Sequence, residues 1–123
     1  QGRFKSFPVA EDDHYFTVLR YVERNALRAR LAKRAESWRW GSLWRRRETE
    51  AEPKLTLTDG PLPLPADWAK HVNSAQTEAE VETVRRSVCR GTPFGPEEWQ
   101  KSVARRLGLQ SSLRPRGRPR KKQ

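Results

Sequence analysis

The chain has no methionine, one cysteine and two histidines in 123 residues, and no long apolar run. Each shortage removes a class of reading. A lone Cys89 cannot form an internal disulfide and fits a reducing compartment. His14 and His71 lie far apart and in no metal-ligand spacing, so neither reads as part of a histidine metal site. His14 reads as a helix-surface residue, and His71 as a solvated or hydrogen-bonded side chain. With no segment apolar enough for a membrane span or signal peptide, a cytoplasmic, nucleoid-associated protein is the default and no membrane partner is expected. Hydrophobic residues make up 34% of the chain and the mean hydropathy is −1.00, which predicts a thin core in one small domain.

What the chain has in excess is positive charge. The formal net charge is +11 and the pI near 10.8, which calls for a polyanionic partner, most simply nucleic acid. The charge is unevenly spread: residues 1–19 carry a net −1, residues 20–47 carry +8, residues 48–84 carry −6 and residues 85–123 carry +10. Two basic blocks flanking an acidic middle suit two surfaces that contact DNA and a connector that does not.

The stretch of residues 12–31 has helical periodicity, with Tyr15, Val18, Leu19, Val22 and Ala26 on one apolar face. Asp12 and Asp13 oppose the positive end of that helix. Tyr21 is off the apolar face and projects with His14, Arg24, Asn25 and Arg28, with Asn25 one turn away. A phenol can attack phosphorus to form a phosphotyrosine, an amide oxygen is a hard ligand for a divalent cation, and guanidinium groups hold flanking phosphates. With an ordinary pKa of about 10, a tyrosine needs help at neutral pH, which a metal ion can supply. A tyrosine half out of a helix, beside arginines that solvate its outer face, fits the same pattern.

Trp38, Trp40 and Trp44 are expected to cover one end of this helix rather than to stack on bases. Residues 3–7 read as an edge strand, and residues 47–65 as a polar, Pro-rich acidic linker with a short strand-like piece at 55–57. A short helix follows around Trp68. Thr77 and Glu80 then form a capping-box pattern before Val81, Val84 and Val88, with Gly91 placed as the stop. Gly95 and Pro96 open a last helix with Trp99, Val103 and Leu107 on one face and Gly108 at its end. The pair resembles a helix-turn-helix in outline, with Lys101, Arg105 and Arg106 near phosphates; a plain helical hairpin with a basic outer face is the simpler reading.

The tail, Arg114-Pro115-Arg116-Gly117-Arg118-Pro119-Arg120, contains the Arg-Gly-Arg-Pro core of an AT-hook, extended and thin enough for the minor groove of A·T-rich DNA. An unspecialised basic tail that binds any duplex through counterion release is the alternative. In either reading Arg114, Arg116, Arg118 and Arg120 are DNA contacts.

Three segments together carry a family likeness: Gln1-Gly2-Arg3-Phe4-Lys5-Ser6-Phe7-Pro8-Val9, Leu19-Arg20-Tyr21-Val22-Glu23-Arg24-Asn25 and Trp38-Arg39-Trp40-Gly41-Ser42-Leu43. Their order and spacing resemble the C-terminal half of a REP-associated tyrosine transposase, and Arg90-Gly91-Thr92-Pro93-Phe94-Gly95 and the Arg-Pro-rich tail are similar to the same branch. The resemblance implies that Tyr21 is the nucleophile that cleaves single-stranded hairpin DNA, leaving a 5′-phosphotyrosine and a free 3′-hydroxyl. It implies that Asn25 helps to hold Mg²⁺ or Mn²⁺, and that Arg24 and Arg28 contact phosphates. The histidine-hydrophobe-histidine metal site of the family would lie upstream, so the chain reads as a fragment whose intact parent cuts DNA and could pair as a homodimer. The chain departs from the family at Ala26, where proline is usual, and at Arg30, where glycine is usual. Alanine lets the helix run on past Asn25.

The expected architecture is mainly α. Residues 1–46 form the remnant of an α+β ferredoxin-like domain, its last strand plus the tyrosine-bearing helix. Residues 47–65 are the linker, 66–109 a helical DNA-binding or interaction region and 110–123 a disordered basic tail. The rival readings are a non-enzymatic DNA-binding module and a basic RNA-associated protein.

Overall fold

The structure is a computed structural model that describes residues 5–48, 50, 57–118 and 121. The regular structure of these residues is six α-helices: α1 Asp13–Glu23, α2 Asn25–Arg28, α3 Ser42–Arg47, α4 Trp68–Asn73, α5 Glu78–Arg90 and α6 Glu97–Leu107. Short 3-10 turns lie at Ala35–Ser37 and Gln110–Leu113. The mainly-α expectation therefore stands. The described residues include no strand: residues 5–7 of the expected edge strand are irregular, and Arg3 and Phe4 lie outside the described residues, as do Leu55 and Thr56 of the short strand-like piece. The pairing found among them is a parallel bridge between Val9 and Phe94. Phe94 N–H donates to the Pro8 carbonyl at 2.8 Å and Ala10 N–H to the Phe94 carbonyl at 2.9 Å, so the N-terminal segment is tied to the α5–α6 loop.

Asp12 caps α1 as its charge suggested, its carboxylate accepting from the His14 backbone N–H at 2.9 Å. The buried face of α1 differs from the one the periodicity indicated. Phe16, Leu19, Arg20, Glu23, Ala26 and Leu27 face inward, while Val22 is 49% exposed. The rotation comes from two charged residues that hydropathy counts as outward-facing. Arg20 donates to the Ser74 and Ala75 carbonyls at 2.7 and 3.1 Å, meeting carbonyls just past the end of α4 that would otherwise lack partners. Glu23 has a fully buried side chain whose carboxylate accepts from Trp68 Nε1 at 2.8 Å, from Ser42 Oγ at 2.8 Å and from the Arg46 guanidinium. A buried carboxylate is tolerated only with such partners, so this residue fixes α3 and α4 against α1.

The core is small, built of Ala35, Leu43, Trp68 and Val72 with Phe16, Leu19, Leu27, Leu64 and Ala69 against it. Trp68 is the tryptophan at its centre, placed against Phe16 with ring centroids 5.7 Å apart. Of the three tryptophans expected to cover the tyrosine helix, Trp38 and Trp44 are half-buried, whereas Trp40 is 76% exposed. Its ring is too far out to cover a helix end, because the turn that carries it precedes α3 on the protein surface. Residues 57–65 do not run free: they pack along α1, and Gly60 lies so close to the Tyr15 hydroxyl that a β-carbon would not fit.

The later helices form where capping and glycine placed them. Thr77 and Glu80 make the full reciprocal capping box, and Gly91 and Gly108 end α5 and α6 in the left-handed region, both at φ 69°. Val84 and Val103 are buried as expected, but Leu107 is 54% exposed, since α6 turns Val103 and Ala104 inward. α5 packs on α1, and α6 packs on the following 3-10 turn. Among the described residues no helix is long and apolar enough to cross a membrane.

A second carboxylate ties the 3-10 turn Ala35–Ser37 to α4. Glu36 accepts from Asn73 Nδ2 and from Arg34 Nε, both at 2.6 Å, while Asn73 Oδ1 accepts from the Ala35 N–H at 2.8 Å. Burial raises the pKa of Glu36, but the bonds from Asn73, its own backbone and Arg34 outweigh it and hold the carboxyl below its ordinary 4.5. A carboxyl whose pKa is depressed on folding stabilises the fold above its unfolded value and loses that contribution as pH falls through its folded value. Thermal unfolding followed by circular dichroism should therefore show a melting temperature that falls as the pH is lowered from about 5. In Glu36→Gln that acid dependence should be shallower; an unchanged pH profile would contradict the assignment.

Candidate nucleic-acid interface

Tyr21 stands near the C-terminal end of α1, half-buried, on the side turned from the core. The helix does not run on through Asn25. Arg24 is a turn residue at φ −86° and ψ −1° that still bonds the Arg20 carbonyl at 2.9 Å, α2 restarts at Asn25, and two residues past its end Arg30 adopts φ 57°. α1 thus ends at Glu23 without a proline at residue 26, and beyond α2 Arg30 enters the left-handed conformation that glycine adopts at low cost.

This broken turn gathers the predicted side chains. The Arg28 guanidinium lies 3.9 Å above the centre of the Tyr21 ring, a cation–π contact. Its Nη2 donates to the Tyr21 carbonyl and, at 2.5 Å, to Asn25 Oδ1. Burial pushes the Arg28 pKa down; the nearby Tyr21 opposes that shift, and the positive charges of Arg24 and Arg85 add to it. Arg85 comes from α5, so the α1–α5 packing brings a further cation to the tyrosine turn. Tyr21, Asn25 and Arg28 thus meet as expected.

Arg24 does not join them. Its Nη1 donates to the Val72 carbonyl at 2.5 Å, so that group serves the C-terminal end of α4 rather than a phosphate. Its pKa is lowered by burial and by the charge of Arg20. Of the two histidines, His14 hydrogen-bonds Asp12 and meets the Phe94 ring edge-on at 5.2 Å, and His71 leans on Trp68.

The donors present do not fit a divalent cation. Among the described residues no group of three or more His, Cys, Asp or Glu side chains could hold a metal ion. Asn25 offers its oxygen to a guanidinium, and a cation approaching that oxygen would be repelled by it. The Mg²⁺ or Mn²⁺ expected from the resemblance therefore has no cage among these residues.

The tail is attached as far as Arg114. Thr92 Oγ1 donates to the Ser112 carbonyl at 3.0 Å, and the Arg90 guanidinium donates to the Arg114 carbonyl. Arg116 lines a groove of about 400 Å³ with Glu82, Arg85, Arg86, Cys89 and Arg90. Arg118 is exposed, and Arg120 lies outside the described residues. The α5 arginines were missed in the sequence; the signal was Arg85-Arg86 followed by Arg90 on a helix whose acidic residues sit mostly in its first turn.

Comparison with protein-family models, with curated proteins and with solved structures finds no match to this chain.

The positive φ of Arg30 yields a direct test. Replacing it with glycine removes the side-chain clash of the left-handed conformation, partly offset by the greater freedom of glycine in the unfolded chain. Arg30→Gly is expected to raise the unfolding free energy by about 0.5–1 kcal/mol in urea titrations, with an unchanged m-value. A loss of stability would show that Arg30 makes compensating contacts.

Proposed function

We propose that the chain is the nucleophile-bearing C-terminal part of a single-strand DNA transposase of the REP-associated tyrosine kind, the tyrosine helix and its preceding segment being the remnant of a ferredoxin-like domain. The observation that carries this reading is the stacking of Arg28 on Tyr21, with Arg85 at hand, at the turn that the family motif occupies. Those guanidinium groups would draw a phosphodiester to the phenol. Tyr21 Oη then attacks phosphorus, the bond to the 3′-oxygen breaks, and that oxygen leaves with a proton as a free 3′-hydroxyl. The product is a 5′-phosphotyrosine; attack by another 3′-hydroxyl reverses the step and rejoins a strand. Basic composition and the arginine-rich tail support DNA as partner, and the nucleoid as location.

A second reading has its own observation. Asn25 commits its oxygen to Arg28, and the described residues offer no metal cage, as suits a DNA-binding module that cuts nothing.

The protein expressed from its complete reading frame, incubated with labelled single-stranded hairpin DNA and Mg²⁺ or Mn²⁺, is expected to give a denaturant-resistant adduct. Tyr21→Phe should abolish the adduct, a loss of at least about 10³-fold, while DNA binding stays within about twofold. Binding without adduct in the unsubstituted protein would favour the binding module, and an adduct that persists in Tyr21→Phe would remove Tyr21 from the role.

A further inference from the structure

The α5 groove concentrates charge that the fold itself does not neutralise. Arg85, Arg86, Arg90 and Arg116 converge on it, against a single carboxylate, Glu82. Arg90 gives one nitrogen to the Arg114 carbonyl. Arg85, Arg86 and Arg116 have no hydrogen-bond or ion-pair partner among the described residues. Elsewhere other cations do have carboxylate partners: Glu97 and Glu98 hold Lys101, Glu36 holds Arg34, and the buried Glu23 holds Arg46. Four guanidinium groups around one concavity repel one another, and an anion placed between them relieves that repulsion.

The groove also has a direction. Arg86 and Arg90, four residues apart on α5, are neighbours along one helix face, roughly 6 Å apart along the axis. Arg116 adds a guanidinium from the tail. At the other side Arg85 is shared between the groove and the surroundings of Arg28, which covers the Tyr21 ring. A row of cations thus runs from the tail along α5, the helix that packs on the tyrosine-bearing α1.

We infer that this groove is a nucleic-acid backbone track in which Arg85, Arg86, Arg90 and Arg116 hold successive phosphates of the DNA strand that reaches Tyr21. The assignment rests on the strand-cleavage reading, but it concerns binding and is measured separately from cleavage. A flexible single strand is the form that suits a concavity of about 400 Å³, since its backbone can bend into a groove that a stiff duplex would only straddle.

Cys89 is exposed, lines the groove and is the only cysteine of the chain, so the unmodified protein carries its own reporter. With single-stranded DNA at saturation, alkylation of Cys89 by a small neutral thiol reagent should slow at least about fivefold. Arg85→Ala/Arg86→Ala, which breaks no hydrogen bond or ion pair within the described residues, should lower the slope of log affinity against log salt by about 1.4, or roughly 0.7 for each phosphate no longer neutralised. Lys70→Ala, on the exposed side of α4 and outside the groove, should leave the slope as it was. Circular dichroism melting separates unfolding of the double variant from weaker phosphate binding by a folded one.

An unchanged slope in the double variant, or unprotected Cys89 with DNA bound, would overturn the track. A length-matched RNA that protects Cys89 at lower concentration than DNA would overturn the choice of DNA. Protection and slope as expected without any adduct would leave the track in place and remove the nucleophile reading instead.

Discussion

The carboxylate of Glu23 is the constraint on which the other contacts depend. Its side chain is fully enclosed and accepts from an indole of α4, a hydroxyl at the start of α3 and a guanidinium further along α3. An ionised carboxylate taken out of water costs several kcal/mol in the absence of such donors, so every donor must be in position before Glu23 can be buried. Trp68 has the matching need, since a buried indole N–H also requires a partner. Two groups that could not enter a thin core singly enter it together. The residues after the linker region are thereby locked to the tyrosine helix, although Glu23 and Trp68 are distant in sequence.

The arginines of α1 divide the same way between structure and surface. Arg20 and Arg24 serve the carbonyls at and beyond the end of α4, which holds that helix end-on to α1. Arg28 lies past the break at Arg24 and turns over Tyr21. The break therefore decides which cations belong to the fold and which border the phenol. Beyond α2, Arg30 at φ 57° occupies a conformation that glycine adopts at lower cost. α5 then adds Arg85 from across the α1–α5 contact, so the tyrosine turn receives positive charge from two helices that pack for unrelated reasons.

Local signals were legible in the sequence where short-range chemistry decides the outcome. The capping box of α5, its stop at Gly91 and the stop of α6 at Gly108 are all set by neighbours in the chain. The buried face of α1 was not legible, because periodicity assigns Arg20 and Glu23 to solvent and only distant partners make their burial tolerable. Trp40 and Leu107 erred in the opposite sense: hydropathy places both inside, but the core is too small to take them. The edge-strand expectation failed for lack of a neighbouring strand among the described residues, and the bridge that forms there is to a loop after α5. At the candidate site, Tyr21, Asn25 and Arg28 could be grouped by helical spacing alone. The role of Arg24 and the arrival of Arg85 required knowing which helices pack on α1.

The coupling between Glu23 and Trp68 tests the account at its centre. A double-mutant cycle of Glu23→Ala and Trp68→Phe, followed by circular dichroism in urea, isolates the carboxylate–indole bond from the other effects of each substitution. The account predicts a coupling energy of about 1.5–3 kcal/mol, the range of hydrogen bonds to a charged group. Additivity within about 0.5 kcal/mol would mean that the two helices are held together by something other than this carboxylate.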